Sequence, residues 1–416
     1  MNRQFYVLMH RYVGLVMTIF LVIIGLTGSA IAFMTELDVF VNPELMKVES
    51  QNAVLLDPVL LREKVAEQYP EALISRIPLS IKNDKAVIFN LEPVNKSAST
   101  EPDELENDEV FVNPYTGKIL GERKWGDITQ GLKNLIPFIY KLHFSLALGE
   151  IGSYVLGIIA LLWTVDCFVG AYLTFPSNRV SRNRLTRNHR KSWLKRWQPA
   201  WLVRYKASTY KINFDLHRAG GLWVWAMLFV FAWSSVGFNL QQVYNPVMKG
   251  LFNTAYIDED EKKPITPIET PNLNWQQALD KSRQLMQQAS KKNSFKILGE
   301  NYLSYDKNTA EYYYRVKTNL DANERYGNSE LNLDAMTGEQ LSLHIPNNIK
   351  AGDIINNWLF ALHMGHLWGL PMQIFICLMG LVVTMLSVTG VVIWLKKRRA
   401  KLMALNNHIA KRTALI

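Results

Sequence analysis

"MHRYVGLVMTIFLVIIGLTGSAIAFM" (residues 9–34) opens on a His-Arg pair and has no charged residue after Arg11. From Val13 to Met34 it is long enough for a helix crossing a hydrocarbon core of about 30 Å, which takes about 20 apolar residues. Three further stretches, Ile151–Phe175, Leu222–Leu240 and Pro371–Leu395, are of the same kind, and Asp166 is the sole acid in any of the four. One such run can be a buried helix of a soluble protein, but four point to a membrane protein. The first run is about twice as long as the apolar region of a signal peptide and ends without a clear cleavage site, so a retained anchor is expected. Cys167 and Cys377 fall inside the runs, which excludes a disulfide framework or a thiolate metal cluster.

Charge sets the expected orientation. The net charge is +10, and the loop between the second and third runs, Pro176–Asn213, holds eleven Lys or Arg and no acid. Five more basic residues follow Leu395 between Lys396 and Lys401. Basic loops stay on the cytoplasmic side, so both termini and the middle loop are expected inside, with the long mixed-charge loops outside. That position accounts for the basic charge without a nucleic-acid partner.

The chain also resembles itself. "MHRYVGL" (9–15) and "LHRAGGL" (216–222) open the first and third runs, while "KLHFSLALGEIG" (141–152) and "ALHMGHLWGLP" (361–371) precede the second and fourth. His10 and His143 are 133 residues apart, and His217 and His363 are 146 apart. "VNPYTGKIL" (112–120) and "LDAMTGEQL" (333–341) share an Asx-x-x-Thr-Gly frame, a tight-turn signal between strands. Upstream, "DPVLLREKVAEQYPEA" and "NWQQALDKSRQLMQQAS" read as helices, and "KAVIFNLEP" and "AEYYYRVKT" as half-buried strands.

The expected fold is therefore an all-α four-helix transmembrane bundle with two outer α+β modules and an internal two-fold repeat. In order, 1–35 forms the first span, 36–140 the first outer module, and 141–176 the second span with its preceding interfacial segment. A basic inner loop (177–213), a third span (214–240), the second outer module (241–357), a fourth span with its interfacial segment (358–396) and a basic tail (397–416) follow.

Four of the eight histidines thus sit at matched depths, His10 with His217 at the inner face and His143 with His363 at the outer. Two imidazoles facing each other across a bundle form the ligand set of a six-coordinate b-type haem, so two haems are expected. Gly14 and Gly221 lie one turn beyond the inner histidines and leave room for a flat macrocycle, although small residues also serve close helix packing. Arg11 and Arg218 are candidates for the haem propionates, or for interface anchoring. His366, three residues after His363, offers half of a metal site, but a zinc centre wants four ligands and none cluster there. His189, His344 and His408 fall in hydrophilic stretches and read as solvated side chains.

"MHRYVGL", "LHFSLALGEIG", "DLHRAGGLW", "LHMGHLWGLP" and "TMLSVTGVVIWL" together resemble the PepSY-associated transmembrane proteins over nearly the whole chain. That group includes bacterial ferric-siderophore reductases of the inner membrane. The resemblance implies outer modules of the PepSY kind, two haems on His10, His143, His217 and His363, and electron transfer across the membrane. His366 departs from the pattern and is assigned to the outer haem's surroundings or the acceptor side. The implied substrate is a periplasmic ferric siderophore, whose hard oxygen donors hold Fe(II) less tightly than Fe(III). No G-x-G-x-x-G fingerprint occurs, so a cytosolic reductase or membrane quinol is the expected donor. Alternatives are a haem-free sensor or protease-regulating protein, and a cytochrome subunit of another periplasmic reductase.

Overall fold

A computed structural model describes residues 2–94, 105–176, 192–252, 267–346 and 350–413. Residues 177–191, which include His189 and part of the basic loop, lie outside the described residues. The chain begins with α1 (Arg3–Ile31), α2 (Met34–Val41), α3 (Pro43–Met46) and α4 (Pro58–Gln68). Six strands follow, namely β1 (Ala72–Leu73), β2 (Arg76–Pro78), β3 (Val87–Asn90), β4 (Glu92–Pro93), β5 (Glu109–Val112) and β6 (Ile119–Arg123). Then come α5 (Leu135–Ser145), α6 (Gly149–Thr174), α7 (Trp193–Trp197), α8 (Thr209–Trp223), α9 (Trp225–Asn239), α10 (Gln241–Leu251) and α11 (Trp275–Asn293). The last part holds β7 (Ile297–Asp306), β8 (Glu311–Thr318), β9 (Ser329–Asp334), β10 (Gln340–His344), α12 (Ala351–Met364) and α13 (Leu370–Thr413). These elements form two compact units, one of Met1–Ala30, Leu142–Tyr244 and Ile374–Ile416, the other of Ile31–Lys141 and Asn245–Gln373.

In the first unit α1, α6 and α13 are long and apolar enough to cross a membrane. Their outward residues, such as Val16 and Ile151, are 60% and 73% exposed, as side chains facing lipid would be. The stretch expected as one span over 214–240 differs. It starts at Thr209 and breaks at Val224 into α8 and α9, bent by 70°, and reaches a fourth crossing only if the pair is one broken span. The bend follows the Gly220-Gly221 pair, where backbone order is cheap to lose. Beyond it, the Trp225 indole N–H donates to the Cys167 carbonyl at 2.9 Å and ties α9 to α6.

Small residues let α1 and α13 touch. A Cβ on Gly380 would lie 2.4 Å from the Gly25 carbonyl oxygen, and the Ser29 hydroxyl donates to the Cys377 carbonyl at 2.8 Å. Such backbone-to-backbone packing replaces the hydrophobic drive that lipid cannot supply between helices. The α5–α6 junction is a sharp turn with Leu146, Ala147 and Gly149 at φ 53°, 57° and 60°. There the Ser145 carbonyl approaches so closely that a Cβ at position 152 would sit 1.7 Å from it, so Gly152 is required.

In the second unit α11 packs on a five-stranded antiparallel sheet of order β10-β9-β8-β7-β2. The Asn274 side chain accepts from the Gln277 backbone N–H and starts α11 with a capping box. Leu279 and Met286 meet Leu303, Tyr312, Tyr314, Leu331 and Leu333 in the core. The outer segments expected as separate modules over 36–140 and 241–357 share this sheet. β2, from the first segment, pairs with β7 in the register Arg76↔Ser304, Ile77↔Leu303, Pro78↔Tyr302, and Ile77 joins the same core. A second core lies between α4 (Leu61, Val65) and the three-stranded sheet β3-β5-β6 (Phe89, Val110, Val112).

The two Asx-x-x-Thr-Gly turns share their hydrogen bonds. The Asn113 and Asp334 side chains accept backbone N–H groups two and three residues on. Gly117 and Gly338, at φ 73° and 75°, close the turns onto the carbonyls of Asn113 and Asp334. The first turn joins β5 to β6, and at the far end of β6 Arg123 is buried between Glu109 (2.6 Å) and both oxygens of Asp38 (3.1 and 3.0 Å).

Candidate functional site

A cavity of about 410 Å³ lies within the first unit, walled by α1, α6, α8, α9 and α13. α1 contributes His10, Arg11 and Gly14, and α8 contributes His217, Arg218 and Gly221, the six inner positions singled out from sequence. The spacing of a helix explains the sets, since residues i and i+4 share a face. The His10 and His217 rings face each other with centroids 6.0 Å apart and planes inclined at 57°.

Both rings are held by Nδ1. His10 Nδ1 lies 2.9 and 3.0 Å from the two carboxylate oxygens of Asp166 on α6. His217 Nδ1 lies 2.9 Å from the Leu386 carbonyl and 3.1 Å from the Thr389 hydroxyl on α13. With Nδ1 donating in each case, Nε2 remains as the metal-binding nitrogen. Glycines also shape the ring positions, because a Cβ on Gly170 would stand 3.5 Å from His10 Cε1 and one on Gly390 3.3 Å from His217 Cε1.

The donor set and the space fit a haem. With each Nδ1 engaged, His10 and His217 would each offer Nε2 to a metal held between them. A Cβ added at Gly14 or Gly221 would meet no atom within 4 Å, so both positions open on free space. Arg218 pairs with Asp215 at 3.0 Å and donates to the Pro199 carbonyl at 2.8 Å, yet its Nε is buried with no hydrogen-bond partner among the described residues. A buried donor in a cavity wall suits an anionic group such as a propionate.

The outer positions divide between the units. His143, on α5, is in the first unit, where the Thr27 hydroxyl sits 3.0 Å from its Nδ1 and a Cβ on Gly28 would stand 2.9 Å from its Cε1. His363 is half-buried on α12 in the second unit. His366 does not continue that helix. α12 ends at Met364, Gly365 turns left-handed at φ 69°, and His366 packs against the 323–326 loop. Its Nδ1 faces the Asn323 amide at 3.3 Å, its carbonyl accepts from Glu324 N–H at 2.7 Å, and its ring meets Tyr326 edge to face. Burial and the Arg325 charge push its pKa down to about 4.

Asp166, Thr389, Gly170 and Gly390 were not singled out as site residues from sequence. Asp166 carried a signal, as the only acid in the apolar runs. The other three are ordinary span residues whose role appears only when α6 and α13 meet the histidines.

One unit has helices long and apolar enough to cross a membrane, and a second unit has α+β structure, which together mark a membrane protein. The profile of the PepSY-associated TM region matches residues 7–397, and the chain belongs to that family. No curated protein sequence matches the chain.

Proposed function

We propose that the chain is a four-span, di-haem electron-transfer protein of the bacterial inner membrane that reduces ferric siderophores in the periplasm. The observation that carries this reading is the His10–His217 pair, with facing rings 6.0 Å apart across a cavity that two glycines leave open. In this reading His10 and His217 hold the inner haem iron, and Arg11 and Arg218 take its propionates. His143 and His363 hold the outer iron, with His366 on the acceptor side. Bound there, each haem supplies a one-electron Fe(III)/Fe(II) carrier. Trp163, Leu222 and Leu228 in the cavity wall would give the inner haem apolar surroundings.

Two sites at different depths divide a crossing of roughly 30 Å into shorter hops. A cytosolic reductase or membrane quinol gives electrons at the inner face, and one electron converts the chelated Fe(III) to Fe(II). The softened ion is then released from hard oxygen donors while the chelator survives.

The test is a visible spectrum of purified protein, followed by anaerobic mixing of its reduced form with ferric siderophores. A Soret band that returns to its oxidised position on mixing is the expected result. Absence of the band would favour the haem-free sensor, and a band with no reoxidation would favour a cytochrome serving another reductase.

A further inference from the structure

Asp166 is a carboxylate only 7% exposed on a helix that is otherwise free of charge from Ile151 to Phe175. A buried carboxylate costs several kcal/mol unless a positive charge or strong donors offset it. Among the described residues, no Lys or Arg pairs with Asp166, and both of its oxygens face the same N–H, that of His10. Among the described residues, the His10 ring is the group in hydrogen-bond reach of both carboxylate oxygens. A neutral imidazole that donates Nδ1–H to a carboxylate presents Nε2 as a more basic, more electron-rich ligand.

The opposite ring differs. His217 Nδ1 meets the Leu386 carbonyl and the Thr389 hydroxyl, both neutral. His143 likewise has the neutral Thr27 hydroxyl at its Nδ1. Of these three rings, only His10 is backed by an acid. One carboxylate placed behind one ligand favours the more positive metal state over the reduced one.

Resting on the di-haem reading, we propose that Asp166 is a positioning residue that sets the inner site's potential. It orients His10 through Nδ1–H and stabilises ferric over ferrous iron, making the inner site a stronger reductant than it would be without the carboxylate. The residue that sets this lies on α6 rather than on either helix that carries an inner histidine.

The experiment is a spectroelectrochemical titration, with electron paramagnetic resonance of the ferric state, on full-length wild type, Asp166→Asn and Asp166→Glu. His143→Ala, in which only the inner haem remains, assigns the potentials. The near-isosteric Asn variant keeps a hydrogen-bond acceptor but removes the charge. It is expected to keep its haem content, shift the inner ferric signal, and raise the inner potential by at least the equivalent of a tenfold equilibrium change, about 59 mV for one electron. The outer potential is expected to stay put, and the charge-retaining Glu variant to remain below the Asn variant. If Asp166→Asn does not assemble, Asp166→Ser serves the same comparison with Glu. Unchanged inner potential and ferric signal in a charge-removed variant with full haem content would overturn the assignment and leave the di-haem reading intact. A wild type without a Soret band would overturn both.

Discussion

The imidazoles of His10 and His217 come from helices more than two hundred residues apart in sequence, yet they face each other at a centroid distance of 6.0 Å. Asp166 fixes one ring and the Leu386 carbonyl fixes the other, so neither is free to turn away. If the proposed di-haem reading holds, alanine at either position should remove the same haem and leave about half of the haem content, since a six-coordinate site needs both nitrogens. His143→Ala and His363→Ala should remove the other half. Haem content and Soret amplitude of the four purified variants check the pairing. Loss of the same signal in His10→Ala and His143→Ala would show that the inner and outer pairs are drawn wrongly.

Glycines of two kinds lie on α1 and α13. A Cβ at Gly14 meets nothing within 4 Å, so Gly14→Leu should leave the protein folded while filling the cavity, and haem binding should fall severalfold. Gly14→Ala should even stabilise the helix, by up to about 1 kcal/mol from propensity. Where α1 meets α13 the opposite holds. The Cβ of Gly380→Ala would lie 2.4 Å from a backbone oxygen that no rotamer change can move, so this variant should lose thermal stability and yield. Melting temperature and haem content, measured on the same preparations, separate the two effects.

The apolar runs of α1, α6 and α13 were legible because lipid demands long uncharged stretches and makes polar residues inside them conspicuous. Both Asx-x-x-Thr-Gly turns were legible because their side-chain hydrogen bonds are local, within three residues of Asn113 and Asp334. The bend at Val224 was hidden, since 222–240 reads as one apolar run whichever way the backbone turns. The shared sheet was hidden too. "RIP" at 76–78 is too short to reveal a partner, and its pairing with Tyr302–Ser304 is a contact across more than two hundred residues. Asp166 showed as an oddity, but its link to His10 spans 156 residues and has no periodic signature.

Arg123 is 2% exposed and offsets two buried acids at once, Glu109 on β5 and Asp38 on α2. Burial works against its charge, but the hydrogen bonds to Asp38 and the attraction of Glu109 outweigh this and raise its pKa. Arg123→Leu would leave both carboxylates unpaired in the core of the second unit. Breaking a buried ion pair from one side costs about 3–5 kcal/mol, so the variant should unfold at markedly lower denaturant concentration. Replacing all three residues by Leu, Gln and Asn, which removes the charges together, should recover most of the loss. Denaturant titration followed by tryptophan fluorescence is the measurement, and equal instability of the single and triple variants would count against the charge argument.

His366 gives a pH dependence whose sign follows from its surroundings. Burial comes first and the Arg325 guanidinium second in pushing its pKa from 6.5 down to about 4, so the folded protein keeps the ring neutral while the unfolded chain protonates it. Between those values the unfolded state binds more protons, and stability rises with pH. The contribution is therefore fully present above about pH 6.5, is lost as pH falls toward 4, and changes little below that. The ring also faces the Asn323 amide and Tyr326. His366→Gln keeps a polar partner for Asn323 but cannot titrate. Between pH 7.5 and 4.5 the wild type should thus lose about 1–2 kcal/mol more than the variant, after allowance for solvent screening of a half-exposed ring. Melting curves of both proteins across that range decide the matter, and parallel curves would mean that protonation of His366 does not drive the loss.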